Sequence, residues 1–174
     1  MKTLLLFRMI LLTMLFSVQN FYVQKYQVEL QKLFGEENVT YLDSSAFKEY
    51  YRINVRQLIN HDDIHRGFFN QQVLLGIQDP KTVTVLQTEG YSIPKHFNNT
   101  NYKTELTTLL NANQVIIEHR YFGSSIPDSL SKRFLTYEQA SNDNYFIKEK
   151  LANLFTGKWV STGISKSGDA ALAY

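Results

Sequence analysis

The chain has no cysteine, only three prolines, a single tryptophan and a net charge of just +2 over 174 residues. The missing cysteine excludes disulfides, thiolate metal sites and a lipidated N-terminal Cys together. With 18 Lys and Arg against 16 acidic residues, spread along the chain, there is no basic face, and no nucleic-acid partner is expected. Repeats, Pro- or Ser-rich linkers and low-complexity segments are also missing, so the sequence reads as one continuous domain. What is present is apolar: 44% hydrophobic residues, with 12 Phe and 11 Tyr. That is ample for a sizeable core and excludes a disordered chain.

Long apolar runs are confined to the N-terminus. Lys2 precedes Leu4, Leu5, Leu6 and Phe7, and after Arg8 a second apolar run covers residues 9–16, followed by Ser17, Val18 and Gln19. A short basic start, an apolar stretch and a small residue near its end describe an export signal over residues 1–19. The competing readings are a buried helix or a membrane anchor, and the stretch is short and interrupted for a span. The expectation is a secreted or periplasmic protein with no stable membrane anchor after cleavage.

Residues 20–49 read as a helix and a connecting segment. Val23, Tyr26, Leu30 and Leu33 recur at helical spacing, and Gly35 is placed to end the helix. From residue 50 onward strands dominate. Tyr51, Ile53 and Val55 alternate with Arg52, Asn54 and Arg56, and Phe69, Val73 and Leu75 form a second such run, so the pair reads as a hairpin. Residues 82–88 form a β-rich run, residues 102–111 place Leu106, Leu109 and Leu110 on one helical face, and residues 114–118 form a short apolar strand. Thr136 and Gln139 have capping-box spacing at the start of a further helix, Gly157 lies just past its end, and residues 158–162 read as a last strand. The expected fold class is α/β, with a mostly parallel sheet led by an antiparallel hairpin. Residues 50–174 form that domain.

This order of elements ends in Gly163-Ile164-Ser165-Lys166-Ser167-Gly168. A nucleophilic serine needs a sharp strand-to-helix turn, because there its Oγ stands clear of the sheet and the next backbone N–H faces the developing oxyanion. Gly163 fits G-x-S-x-G, whereas Ser167 replaces the last glycine. Ser165 is the candidate nucleophile, and the backbone N–H of Lys166, rather than its ammonium, is one candidate oxyanion donor. A second donor is expected from the loop after the third strand, Glu89-Gly90-Tyr91, through the backbone of Gly90 and Tyr91.

These residues carry a resemblance. Thr88-Glu89-Gly90-Tyr91, the string from Glu118-His119-Arg120-Tyr121-Phe122-Gly123 to Pro127, Leu135-Thr136, Gln139-Ala140, Asp143, Gly157-Lys158-Trp159 and Gly163-Ile164-Ser165-Lys166 resemble the secreted tripeptidyl aminopeptidase family of bacterial serine peptidases. The likeness covers residues 50–174, with Gln57-Leu58 and Asn60-His61 on the first strand and loop, and extends more loosely to the prolyl carboxypeptidases. It implies an α/β-hydrolase fold with an inserted cap, export, peptide substrates shortened by tripeptides from a free N-terminus, Ser165 as nucleophile, and an Asp and a His later in the chain. No cofactor and no metal are implied.

Only residues 166–174 follow Ser165, and all four histidines, His61, His65, His96 and His119, precede it. In this fold the triad runs Ser, acid, His. The sequence therefore reads as an N-terminal fragment ending just after the nucleophile elbow. Without the histidine, turnover falls on the order of a million-fold, so this chain alone is expected to be inactive. The alternatives are a non-catalytic truncated relative and an esterase on the same fold.

Other constellations compete for a role. Glu118 and Arg120 flank His119 at a strand end: Glu118 either receives the substrate's ammonium or pairs with Arg120 to hold the loop, and Glu89 is the other ammonium candidate. His61-Asp62-Asp63-Ile64-His65 has imidazoles four apart, as metal ligands on a helix do, but is expected in the hairpin loop. Ser129-Leu130-Ser131-Lys132 matches S-x-x-K without its companion motifs and reads as a loop.

Overall fold

The computed structural model describes residues 26–128 and 131–173. The proposed export signal and the first part of the first helix lie outside them. Helix α1 is described over residues 26–34, and Gly35 N–H closes it by donating to Gln31 O at 2.8 Å. After it come strands β1 (Val39–Leu42), β2 (Glu49–Leu58), β3 (Phe68–Ile77) and β4 (Thr84–Thr88). Helix α2 (Glu105–Leu109), β5 (Asn113–Ile117), α3 (Tyr137–Leu151), β6 (Trp159–Gly163) and α4 (Lys166–Ala173) complete the chain.

One six-stranded sheet runs β1-β2-β3-β5-β4-β6. The hairpin is present over ten residue pairs, from Glu49↔Ile77 to Leu58↔Phe68. The expected mostly parallel sheet is not. Pairings β1–β2, β2–β3 and β3–β5 are antiparallel, and only β5–β4 and β4–β6 are parallel. Two facts shift the balance. Strand β1 adds an antiparallel edge before the hairpin, and β5 meets β3 in the opposite sense, so the hairpin contributes antiparallel pairings on both sides. Four-residue β1 buries only Val39, too little alternation to read as a strand.

The pleat sorts side chains to two faces. Tyr51, Ile53, Val55, Val73, Leu75, Leu86, Val115 and Ile117 join Leu30 of α1 and Ile147 and Leu151 of α3 in the larger core. Their neighbours Tyr50, Leu74 and Ile116 point the other way, to a smaller cluster with Phe47 and Phe97. Helix α2 is shorter than its periodicity predicts. Thr104 caps it by accepting from Thr107 N–H, and Leu109 is left 76% exposed, so the expected apolar face is only partly buried.

Candidate functional site

Parallel strands end side by side, and a site can form beyond their carboxyl ends. Here Thr88 of β4 aligns with Ile117 of β5 and Gly163 of β6. The segments 89–91, 118–120 and 164–165 are therefore adjacent. The first two remain laced: Glu89 N–H donates to Ile117 O at 2.9 Å, and His119 N–H to Tyr91 O at 3.1 Å.

Ser165 sits between β6 and α4, exposed, with φ of 57°. A left-handed serine is strained and persists only where its surroundings impose it. Gly163 is one such constraint, since a Cβ there would come within 2.3 Å of Ser167 O. Ser167 is the other. Its Oγ donates to Ile164 O and accepts from Ile164 N–H, both at 2.7 Å, and its own carbonyl accepts from Thr88 Oγ1 at 3.0 Å. Where the sequence pattern expects glycine, the serine hydroxyl closes the turn. Gly168 N–H donates to Ser165 O at 2.8 Å and begins the helical bonding. Lys166, the first helical residue, has no carbonyl within the helix to take its N–H.

Gly90 lies against the start of α4. A Cβ on it would stand 3.2 Å from Lys166 Cβ and 3.3 Å from Ser167 N, so glycine permits the close approach of the two backbones. Beside it, the Tyr91 ring meets Phe122 edge-on at 5.1 Å. The Lys166 ammonium sits 4.4 Å from the Phe122 ring centre and 5.0 Å from that of Tyr91. Burial lowers the pKa of this ammonium.

The two candidate carboxylates differ in kind. Glu118 is buried, and its oxygens accept from Ile93 N–H at 3.1 Å, Ser124 N–H at 2.9 Å, Ser124 Oγ at 2.9 Å and Ser125 Oγ at 2.7 Å. It fastens two loops together. Glu89 is half-buried, accepts from Gln87 Nε2 at 2.8 Å, and borders a cavity of about 380 Å³ with His96, Tyr102, Glu105 and Ile164. Burial raises the pKa of its carboxyl, against the smaller opposing effects of the Gln87 bond and His96.

Arg120 does not pair with Glu118, as one reading of the sequence had it. The fully buried guanidinium takes Asp143 of α3 in a two-point grip, Nε to Oδ2 at 2.7 Å and Nη2 to Oδ1 at 2.8 Å. Its remaining N–H groups reach Leu58 O, Ile59 O and Phe134 O at 2.9–3.0 Å, which uses all five donors. Asp143 Oδ1 also accepts from His61 Nε2 at 2.8 Å, and Gln139 Oε1 from His61 N–H at 2.8 Å. Thr136 caps α3 by accepting from Gln139 N–H, but the Gln139 side chain turns to the hairpin loop, so the reciprocal half of the box is not made. Sequence reasoning gave Asp143 no role. A signal was available: Gln139 and Asp143 are polar, one turn apart, and both buried on the inner face of an amphipathic helix.

The histidines are accounted for one by one. His61 is bound to Asp143, His65 is exposed in the hairpin loop, and His96 lies tilted against Phe97 and edge-on to Tyr102. His61 and His65 therefore do not converge. His119 is buried, its Nδ1–H donates to Arg120 O at 2.9 Å, and burial lowers its pKa. Nε2 has no hydrogen-bond partner among the described residues. No histidine is hydrogen-bonded to Ser165 among them. Asp169 carries a hydrogen bond from Tyr137. Residues 129 and 130 of the S-x-x-K string lie outside the described residues.

A family model described as PS-10 peptidase S37 matches residues 32–174. The chain is also similar to the prolyl tri/tetrapeptidyl aminopeptidase of Streptomyces mobaraensis, with 31% identity over 122 residues. That alignment covers 70% of this chain and 25% of the relative, so the match spans about a quarter of that protein's length. Among the described residues no helix is long and apolar enough to cross a membrane.

Proposed function

This chain belongs to the PS-10 peptidase S37 family, and on that premise we propose that it forms the nucleophile-bearing part of a secreted serine exopeptidase with an α/β-hydrolase fold. The observation that carries the proposal is the turn at Ser165: a strained, exposed serine between a parallel strand and a helix, with Gly90 against the first residues of that helix. Such a turn holds Oγ out of the sheet at a helix N-terminus, where developing negative charge is favoured.

In this reading Ser165 Oγ attacks the scissile carbonyl, the C–N bond breaks and the remaining peptide leaves as the amine, and water then hydrolyses the acyl-enzyme to release the N-terminal fragment as the acid. The N–H of Lys166 and an N–H of the Gly90–Tyr91 segment bind the oxyanion. The proton leaves Oγ for an imidazole base, as in other serine nucleophiles. Residues 50–174 contribute the hydrolase portion, and residues 1–19 direct export.

Peptides with a free N-terminus are the substrates. Glu89 receives their ammonium in preference to Glu118, whose oxygens already accept four hydrogen bonds from the protein's own loops. Glu89 borders open volume and accepts one.

The test is fluorophosphonate labelling of this chain and of the full-length protein that carries it, with Ser165→Ala as control. Labelling of the full-length protein, lost in the variant, is expected. Equal labelling of the variant would sink the assignment.

A further inference from the structure

Three loops meet at one ammonium. Lys166 follows Ser165 directly, yet its side chain reaches back over the sheet end to lie between Phe122, in the loop after β5, and Tyr91, in the loop after β4, at 4.4 and 5.0 Å from the ring centres. The two rings are perpendicular, 86° apart in plane, so one ring presents its edge to the other while both lie within reach of the same cation. An ammonium this close to an aromatic ring is held by its quadrupole.

Each ring stands on a fixed base. Phe122 N–H donates to His119 O and its carbonyl accepts from Ser125 N–H, while Glu118 fastens Ser124 and Ser125 to the same loop. Tyr91 is 60% exposed, and its carbonyl accepts from His119 N–H. Its ring has little other protein to rest on. Without the cation, the segment 89–91 is held by the lacing of Glu89 N and Tyr91 O to β5 and by Gly90 lying against the start of α4, and among the described residues no other ring contact joins the Tyr91 side chain to α4.

We propose that the Lys166 side chain is a positioning residue: by seating its ammonium on Tyr91 and Phe122 it fixes the Gly90–Tyr91 backbone against the start of α4, so that the two oxyanion donors stay in register. This rests on the reading of Ser165 as nucleophile. One residue then acts twice, with its N–H as a donor and its side chain as the strut that aims the other donor. Oxyanion stabilisation depends on donors held in advance at the right distance, and a misplacement of about 1 Å costs on the order of a hundred-fold.

The experiment is kinetics of the full-length enzyme on a tripeptide anilide, with Lys166→Met, Lys166→Arg, Tyr91→Leu, the Lys166→Met/Tyr91→Leu double variant and Ser165→Ala. Lys166→Met keeps the backbone N–H and most of the unbranched stem while removing the ammonium. Its kcat is expected to fall on the order of ten- to a hundred-fold with KM within about two-fold, because the donors act on the transition state. Lys166→Arg restores most of the loss, since guanidinium also seats on aromatic faces. The double variant is no slower than the worse single one, as for residues acting through one contact. Wild-type kcat in Lys166→Met, failure of Arg to rescue, or additive losses overturns the strut while Ser165→Ala remains inactive. Turnover persisting in Ser165→Ala overturns the reading of the site and the strut with it.

Discussion

Arg120 holds Asp143 by two parallel hydrogen bonds of 2.7 and 2.8 Å, with both side chains fully withdrawn from solvent. The pair joins the loop after β5 to helix α3, and the other guanidinium donors extend the tie to the end of β2 and to Phe134. Removing one partner of a buried pair leaves the other charge stranded, at a cost of about 3–5 kcal/mol. Asp143→Ala is therefore expected to lower stability by that amount in urea unfolding. Arg120→Met/Asp143→Ala together should cost less than the sum of the single changes, because no charge is left unpaired.

Glu49 gives the chain a pH dependence of unusual sign. Burial pushes its carboxyl up to about 7, against the lowering effect of the Tyr51 hydroxyl that donates to it, and Glu29 raises it further. The folded chain thus keeps a proton between about 4.5 and about 7 that the unfolded chain has released. Stability contributed by this group is full below that window and is lost as pH rises through it. Urea midpoints measured from pH 4.5 to 8 should show the decline, and Glu49→Gln should flatten it and be the more stable form at pH 8.

The turn at Ser165 predicts a ranked pair of variants. Gly163→Ala forces a Cβ toward Ser167 O, a backbone atom that cannot move aside cheaply, so a loss of about 2 kcal/mol or more is expected. Ser167→Ala removes the hydroxyl that closes the turn on Ile164 and should cost about 1 kcal/mol. Thermal unfolding of both variants orders them.

Glu89 and Glu118 should separate cleanly. In the full-length enzyme Glu89→Gln is expected to raise KM on the order of ten- to a hundred-fold for peptides with a free amine, as loss of a charge-assisted bond does, and to leave N-acetylated peptides unaffected. Because its pKa is raised, wild-type KM should climb as pH falls and the carboxyl takes up a proton. Glu118→Gln turns an amide NH2 toward groups that donate, so its effect should be a stability loss of about 2–3 kcal/mol, read by urea unfolding.

Local pattern made much of this legible. The alternation of Tyr51, Ile53 and Val55 with Arg52, Asn54 and Arg56 is the burial pattern of β2 itself, and Gly163 ahead of Ser165 marks a turn that the backbone does make. Strand sense was not legible, because β5 carries the same apolar residues whichever way β3 runs beside it. The partner of Arg120 was missed for a similar reason: charge and proximity in sequence point to Glu118, whereas the carboxylate that fits lies on a helix brought in by the fold. Glu118 shows the limit most plainly. Two of its donors are backbone N–H groups, which every residue but proline has, and no letter announces them.

Strand β5 lies between β3 and β4, although β4 is made first. The sheet therefore does not assemble in the order of synthesis. When β4 leaves the ribosome it has neither neighbour: β5 must arrive to seat it on the hairpin, and β6, about 75 residues later, to cover its other edge. At ~5–20 residues per second that is an interval of roughly 4–15 s. Val85 and Leu86, both buried at the end, have no paired strand beside them until β5 arrives, and one edge of β4 stays open until β6 does. An arrest or cleavage within this interval leaves β4 with at least one edge unpaired, so residues 89–158 mark the stretch of synthesis over which a holdase has most to protect.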